Sequence, residues 1–410
     1  MGNLLSCVYT SWFLNHGGEL KVAYVDVNVR YLNRTRDELL NALRLAAEVT
    51  CVGPGFSSGD PVSQLQALIS GPQQVDVVVT TPHVALANGF ADRSSAHIAA
   101  NYRRSFAYSF DDRLFGSLVA LRSLLVAATL PRALFLLEAD YYNFGTFEID
   151  SFTSVADAIF GFGPECWAPK ARMKHLAEES FASHANDNWA DYLSEHGNTV
   201  FSFHHLVGDG EFCDIPLSKR KHSWSVLGAG YTARREAIAH LRSHQVTPVV
   251  TSPKRKIIGG LKRVGLLQGE SNWSLDLVQR DFFRKLCQSR YSYTCGSGLD
   301  MPIRKFFEIP AAGAVLVCRP FRGAQDLGFV SGKNYMEAEP QDLREVHRYL
   351  ENNPDEAQQI ASAGRELVRR LHSVSARSEQ LHLSLAALMG HKGVGRWKHG
   401  QFEIEETHAF

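Results

Sequence analysis

Apolar positions along this chain follow two rhythms. Short, nearly continuous apolar runs alternate with longer stretches in which apolar residues return every three or four positions. The first rhythm marks strands buried on both faces, and the second marks amphipathic helices. Residues 21–27 are the first run. Thr35 and Glu38 then have capping-box spacing, and Leu39, Leu40, Leu43 and Ala47 form one helical face. A second short strand at 49–52 ends in Gly53-Pro54-Gly55, a turn signal. Strand, helix and strand in that order predict a parallel sheet. Further strands are expected at 75–80, 133–138, 158–162 and 199–203, with helices at 114–130 and 171–184.

The same alternation starts again after a stretch rich in Gly, Asp, Pro and basic residues at 208–222. A strand is expected from 224, then a helix at 234–243, a strand at 246–250, a helix at 275–289 and a strand at 291–294. A short helix carrying Arg304 and Glu308 runs into a strand at 314–318. Two helices cover 342–371, divided by Asn353 with Pro354 at the first helical position. The expected organisation is a doubly wound α/β domain over 1–207, a linker over 208–222 and a second Rossmann-like domain over 223–375. A helix at 377–388 is expected to cross back to the first domain, followed by a Gly- and charge-rich tail to 410. Residues 1–19 are assigned to no element.

Composition narrows the functional classes. The chain has 410 residues, which fits two or three domains. Lys+Arg and Asp+Glu both number 43, so the formal charge is zero and a nucleic-acid partner is not expected. The seven cysteines are scattered without a C-x-x-C pair, which suits reduced thiols in a cytoplasmic protein. No apolar run is long enough for a transmembrane segment.

Residues 301–335 carry the most specific chemistry. Arg304 and Glu308 stand one helical turn apart, beside the carboxyl end of an expected parallel strand. Arg can neutralise phosphate, and Glu can accept hydrogen bonds from ribose hydroxyls. The i,i+4 spacing equally suits a plain ion pair between the two. Gly228-Ala229-Gly230-Tyr231 follows a strand and precedes a helix, so its backbone can form an anion site with Arg234 and Arg235 in the first turn. The same spacing also fits a simple βα turn. Lys254, Arg255, Lys256, Lys262 and Arg263 form a basic cluster that reads as a solvated loop or a phosphate contact. In the first half, Asp140, with Glu138 behind it, ends an expected strand and is the candidate base for an acceptor hydroxyl. The alternative is a strand-end cap. His204-His205 has no third metal ligand nearby in sequence.

Taken together, Arg304, Phe307-Glu308-Ile309-Pro310, Gly313, Leu316, Gly328-Phe329, Asn353-Pro354-Asp355-Glu356 and residues 361–365 resemble the C-terminal domain of GT-B glycosyltransferases related to the spore maturation protein CgeB. The Gly53-Pro54-Gly55-Phe56 turn and residues 224–242 are similar to the same group. The resemblance implies two Rossmann-like domains facing a central cleft. It implies transfer of a sugar from a nucleotide-diphosphate sugar to a glycan, small-molecule or protein acceptor. Donor contacts would come from Gly228, Gly230, Tyr231, Arg234, Ser297, Arg304, Glu308 and Gly313, with no metal cofactor. The second Glu that retaining members place eight residues after the first is replaced by Leu316, so the stereochemical outcome stays open. A sugar-nucleotide epimerase of the same shape and a non-catalytic binding module remain alternatives.

Overall fold

The computed structural model describes residues 19–28, 34–56, 59–90, 112–137, 140–141, 145–167, 185–251, 273–296 and 301–406. The first domain runs β1 (Lys21–Val25), α1 (Arg34–Ala46), β2 (Glu48–Val52), α2 (Pro61–Ser70), β3 (Val77–Thr80), α3 (Pro82–Ala85), α4 (Asp112–Ala127), β4 (Arg132–Phe135), α5 (Thr146–Val155), β5 (Ala158–Gly161), α6 (Ala185–His196) and β6 (Val200–Ser202). All six strands are parallel, in the order β2-β1-β3-β4-β5-β6. Tyr24 of β1 lies opposite Cys51 on one side and Val79 on the other. The order reverses between β1 and β3, which makes their carboxyl ends the topological switch point where α/β sheets bind ligands. Alternate residues of β1 serve different layers. Val22 and Tyr24 pack with Leu39, Leu40 and Leu43, while Ala23 and Val25 pack with Leu65 and Leu118. The near-continuous apolar run read from the sequence is thus a strand covered on both faces.

The second domain runs β7 (His222–Val226), α7 (Thr232–Ser243), β8 (Val249–Val250), α8 (Trp273–Cys287), β9 (Ser289–Thr294), α9 (Lys305–Ala311), β10 (Val315–Cys318), β11 (Met336–Glu337), α10 (Leu343–Asn352) and α11 (Pro354–His372). Its strands are parallel in the order β11-β10-β9-β7-β8, so the switch point lies between β7 and β9.

α12 (Val374–Gly390) leaves the second domain and packs on the first. Leu381 and Leu385 join the layer of Leu39 and Leu43, and His382 Nδ1 bonds the Ala46 carbonyl at 2.9 Å. The crossing is pinned where Val207 N–H donates to His372 O and Val374 N–H donates to Val207 O, each at 3.0 Å. The Gly- and charge-rich tail, assigned no element from sequence, forms an antiparallel hairpin, β12 (Val394–Lys398) and β13 (Gln401–Glu405). Its glycines and charges hide the strand signal, but Val394 and Trp397, on opposite faces of β12, are both buried in separate core layers, while Lys398 pairs with Glu403 outside. The expected helix at 171–184 lies outside the described residues, as do residues 1–18 and the basic cluster at 254–263. Among the described residues no helix is long and apolar enough to cross a membrane.

Candidate functional site

At the first switch point the chain assembles a titratable cluster. Asp26 follows β1 and is 1% exposed. Its carboxylate accepts hydrogen bonds from Tyr24 Oη at 2.9 Å, Val27 N–H at 2.8 Å and Thr81 Oγ1 at 2.7 Å. His83, just after β3, places Nδ1 2.9 Å from Asp26 Oδ1. Arg36, in the first turn of α1, lies between two acids, 3.6 Å from Asp26 and 3.8 Å from Asp140. The environment pushes these groups apart. Burial would raise the Asp26 carboxyl, but His83, Arg36 and Thr81 outweigh it and hold it below the ordinary range. Burial, then Arg36, pushes His83 down against the pull of Asp26. Burial pushes Asp140 up, opposed by Arg36 and by the Leu137 N–H it accepts at 2.7 Å. The result is a neutral imidazole oriented by an ionised carboxylate, the arrangement that proton abstraction requires.

At the second switch point the chemistry is cationic. Gly228 follows β7 with φ +110°, a conformation other residues rarely adopt. A Cβ there would lie 2.5 Å from Lys305 Cε and 2.9 Å from Arg234 Nη1, so both cationic side chains converge on this glycine. Arg234 is 2% exposed. It donates to Ala229 O at 3.0 Å, Thr294 Oγ1 at 3.0 Å and Cys295 O at 3.3 Å, tying the β7 loop to the end of β9. Arg235 donates to Gly230 O at 2.9 Å. Tyr231 caps α7, and its ring lies 5.2 Å from the Arg234 guanidinium carbon. Loop carbonyls held by guanidinium groups, next to the first amides of a helix start, give a geometry that can cradle an anion.

Arg304 and Glu308 belong to a different network. Arg304 Nε donates to Glu308 Oε1 at 2.8 Å, and Nη2 donates to Glu211 Oε2 at 2.5 Å. Burial disfavours the guanidinium charge, but Glu308, Glu211 and Glu38 more than offset it and raise the pKa. Glu211 also accepts Gly208 N–H at 2.9 Å, so the network clamps the interdomain crossing. The charge of Arg304 is therefore already balanced by carboxylates. Gly313 sits at the amino end of β10, the opposite end of the sheet from the cradle. It ends α9 with φ +69°, and a Cβ there would lie 2.6 Å from Arg220 Nη2. The structure does not bring it near Gly228. Glu138 and Ser297 lie outside the described residues.

Gly228, Gly230, Tyr231 and Arg234 thus come together. Asp140 joins a cluster whose other members, Asp26, Arg36 and His83, were not singled out from sequence, and Lys305 was missed next to Arg304. The available signal was position: Asp26 and His83 each follow a strand by no more than three residues at a carboxyl end.

A family model described as glycosyl transferase-like matches residues 229–382. Anabaena Alr3699/HepE, solved with UDP and glucose, superposes at a TM-score of 0.51 and 11% identity, covering 90% of this chain and 100% of that one. A glycosyltransferase from Rickettsia africae gives 0.51 at 11% identity, covering 91% and 99%. No curated protein matches in sequence. The fold is GT-B.

Proposed function

We propose that this chain is a glycosyltransferase that moves a sugar from a nucleoside diphosphate, with uridine as the first base to test, to an acceptor hydroxyl. The observation that carries the reading is the division of labour between two switch points, a proton-accepting dyad at one and a cation-flanked glycine loop at the other. The matched family model over 229–382 contains most of the cradle, and the Anabaena neighbour was solved with UDP and with UDP-glucose. The motif over residues 304–365 further suggests the CgeB-like group.

In this reading the start of α7, the Gly228–Gly230 loop, Arg234 and Lys305 hold the diphosphate and stabilise the charge that grows on it as the glycosidic bond breaks. Glu308 gives Oε1 to Arg304, and Oε2 serves a sugar or ribose hydroxyl. With His83 Nδ1 committed to Asp26, proton exchange with the acceptor runs through Nε2. Asp140 is the second carboxylate of that subsite, since the Leu137 amide and Arg36 already engage it. A base at the acceptor favours single displacement with inversion of the anomeric carbon. Because protein cations meet the diphosphate, no catalytic metal is required.

Calorimetry with UDP, GDP, ADP, TDP and CMP tests the donor site, and NMR of the reaction with the bound nucleotide's sugars tests transfer. Release of nucleoside diphosphate that depends on an acceptor, with an unchanged KM when Mg2+ is added, supports the reading. Interconversion of the donor without an acceptor would indicate an epimerase. No binding to any of the panel would overturn the donor assignment.

A further inference from the structure

We propose a structural metal site, separate from the transfer chemistry, in which Glu165, Cys166 and His204 bind a zinc-like divalent cation. The three residues follow neighbouring parallel strands, Glu165 and Cys166 after β5 and His204 after β6. This is the partner set that the His204-His205 pair lacks in sequence. His204 Nε2 lies 3.7 Å from Cys166 Sγ and 3.1 Å from Glu165 Oε1, and the ligand atoms all lie within 4.8 Å of one another. Tetrahedral zinc with its usual bond lengths separates a sulfur and a nitrogen ligand by about 3.6 Å, and a nitrogen and an oxygen by about 3.4 Å. The observed distances fall on either side of those edges, so small side-chain adjustments bring three ligands onto a tetrahedral ion, with a water molecule as the fourth.

The surroundings fit a bound cation. The imidazole is fully buried and the Glu165 side chain is 10% exposed. Ser202 Oγ sits beside the Glu165 carboxylate. Yet Ser202 Oγ and Glu165 Oε2 are both buried without a hydrogen bond of proper geometry, which is a costly arrangement that a ligand would relieve. The Cys166 thiol must lose its proton, which passes to solvent as the S–metal bond forms. A sulfur, nitrogen and oxygen donor set selects zinc over calcium or magnesium. Arg377 is the nearby opposing charge. It is held by His372 Nδ1 and Gln380 Oε1, each at 2.8 Å, and stacked 4.7 Å from the Trp397 ring. Gly323 of the second domain packs against Cys166 Sγ, so an ion here would stiffen the contact between domains.

Co2+ titration of the full-length protein is the test. One equivalent should give a thiolate-to-cobalt absorption band that Zn2+ abolishes by competition and that Cys166→Ser lacks. His204→Gln, folded by circular dichroism, should bind about 100-fold more weakly. Absence of the band, or its survival in Cys166→Ser, would overturn the site. The second outcome would point to the neighbouring thiols Cys213 and Cys287. Unchanged Co2+ affinity in His204→Gln would overturn it as well. None of these readouts depends on glycosyl transfer.

Discussion

The carboxyl ends of the two sheets are built by the same topology and carry opposite chemistry. Where β1 and β3 diverge, two carboxylates, an imidazole and one guanidinium share a buried cluster in which pKa values are pushed apart. Where β7 and β9 diverge, a guanidinium and an ammonium flank a glycine loop, and among the described residues the guanidinium hydrogen-bonds to carbonyls and a hydroxyl. The first arrangement suits moving a proton, and the second suits holding an anion. Topology supplies two places for ligands, and the residues just after each strand decide what each place does.

The largest expected effect separates these roles. His83→Ala should lower the transfer rate by about 1000-fold, within the range typical of a lost general base, while nucleotide affinity stays within about twofold. Rates and calorimetry on the same preparation give both numbers. A parallel loss of nucleotide binding would break the comparison, because the first cluster would then belong to the donor site. The acid limb of kcat/KM adds a check. Burial and Arg36 depress the pKa of His83, so the rate should hold below the ordinary histidine value near 6.5 before it falls.

Lys305→Met should weaken nucleoside diphosphate binding by about 10- to 100-fold, the loss expected for a charge-assisted contact. Binding of the free nucleoside should barely change, since that ligand lacks the phosphates. Equal losses for both ligands would show that Lys305 only supports the loop packing.

Acid stability sharpens the contrast from another side. Burial, with Arg304, His204 and Lys305, pushes His205 down to about 3, and His83, His204 and His372 are also depressed, mainly by burial. A histidine kept neutral in the folded state binds fewer protons there than in the unfolded chain. Stability is therefore full above about pH 6.5 and is lost as pH falls toward each folded value. For His205 this amounts to about 2 kcal/mol at pH 5. Melting temperature should begin to drop near pH 6.5, well above the range where carboxylates titrate. His205→Phe should reduce that slope, and an unchanged slope would remove His205 from the account.

The fold was largely legible in the sequence because two-sided burial leaves continuous apolar runs, as in β3 and β5, and short runs with polar interruptions still marked β9. The glycine loop after β7 was legible for a related reason: Gly228, Gly230 and Arg234 lie within seven residues and shape one turn. The cluster at the first switch point was not, because Asp26, Arg36, His83 and Asp140 lie in four separate segments and meet only when β1, β3 and β4 align. Arg304 and Glu308 were read as donor contacts, with a plain ion pair as the alternative; they do pair, and Glu211 from the linker, which joins their network, carries no local signal. The grouping of Glu165, Cys166 and His204 was invisible for the same reason, since Cys166 and His204 are joined only by the pairing of β5 and β6.

The smallest expected difference is between two glycines in one domain. Gly228→Ala and Gly313→Ala both force a side chain into a positive-φ site, and each should cost about 1–2 kcal/mol of stability. Their functional costs should differ. Gly228 shares its space with Lys305 and Arg234 at the carboxyl ends of the strands, so a methyl group there displaces the cations that would meet the diphosphate, and nucleotide affinity should fall with stability. Gly313 faces Arg220, whose guanidinium bonds Ile215 O at 2.8 Å, Ser289 O at 2.9 Å and Ala312 O at 2.9 Å at the far end of the sheet. A methyl group there should loosen that hub and lower the melting temperature while leaving nucleotide affinity unchanged. If both variants lost affinity equally, backbone strain at either end would be reaching the cradle, and the assignment of the anion site to one end of the sheet would fail.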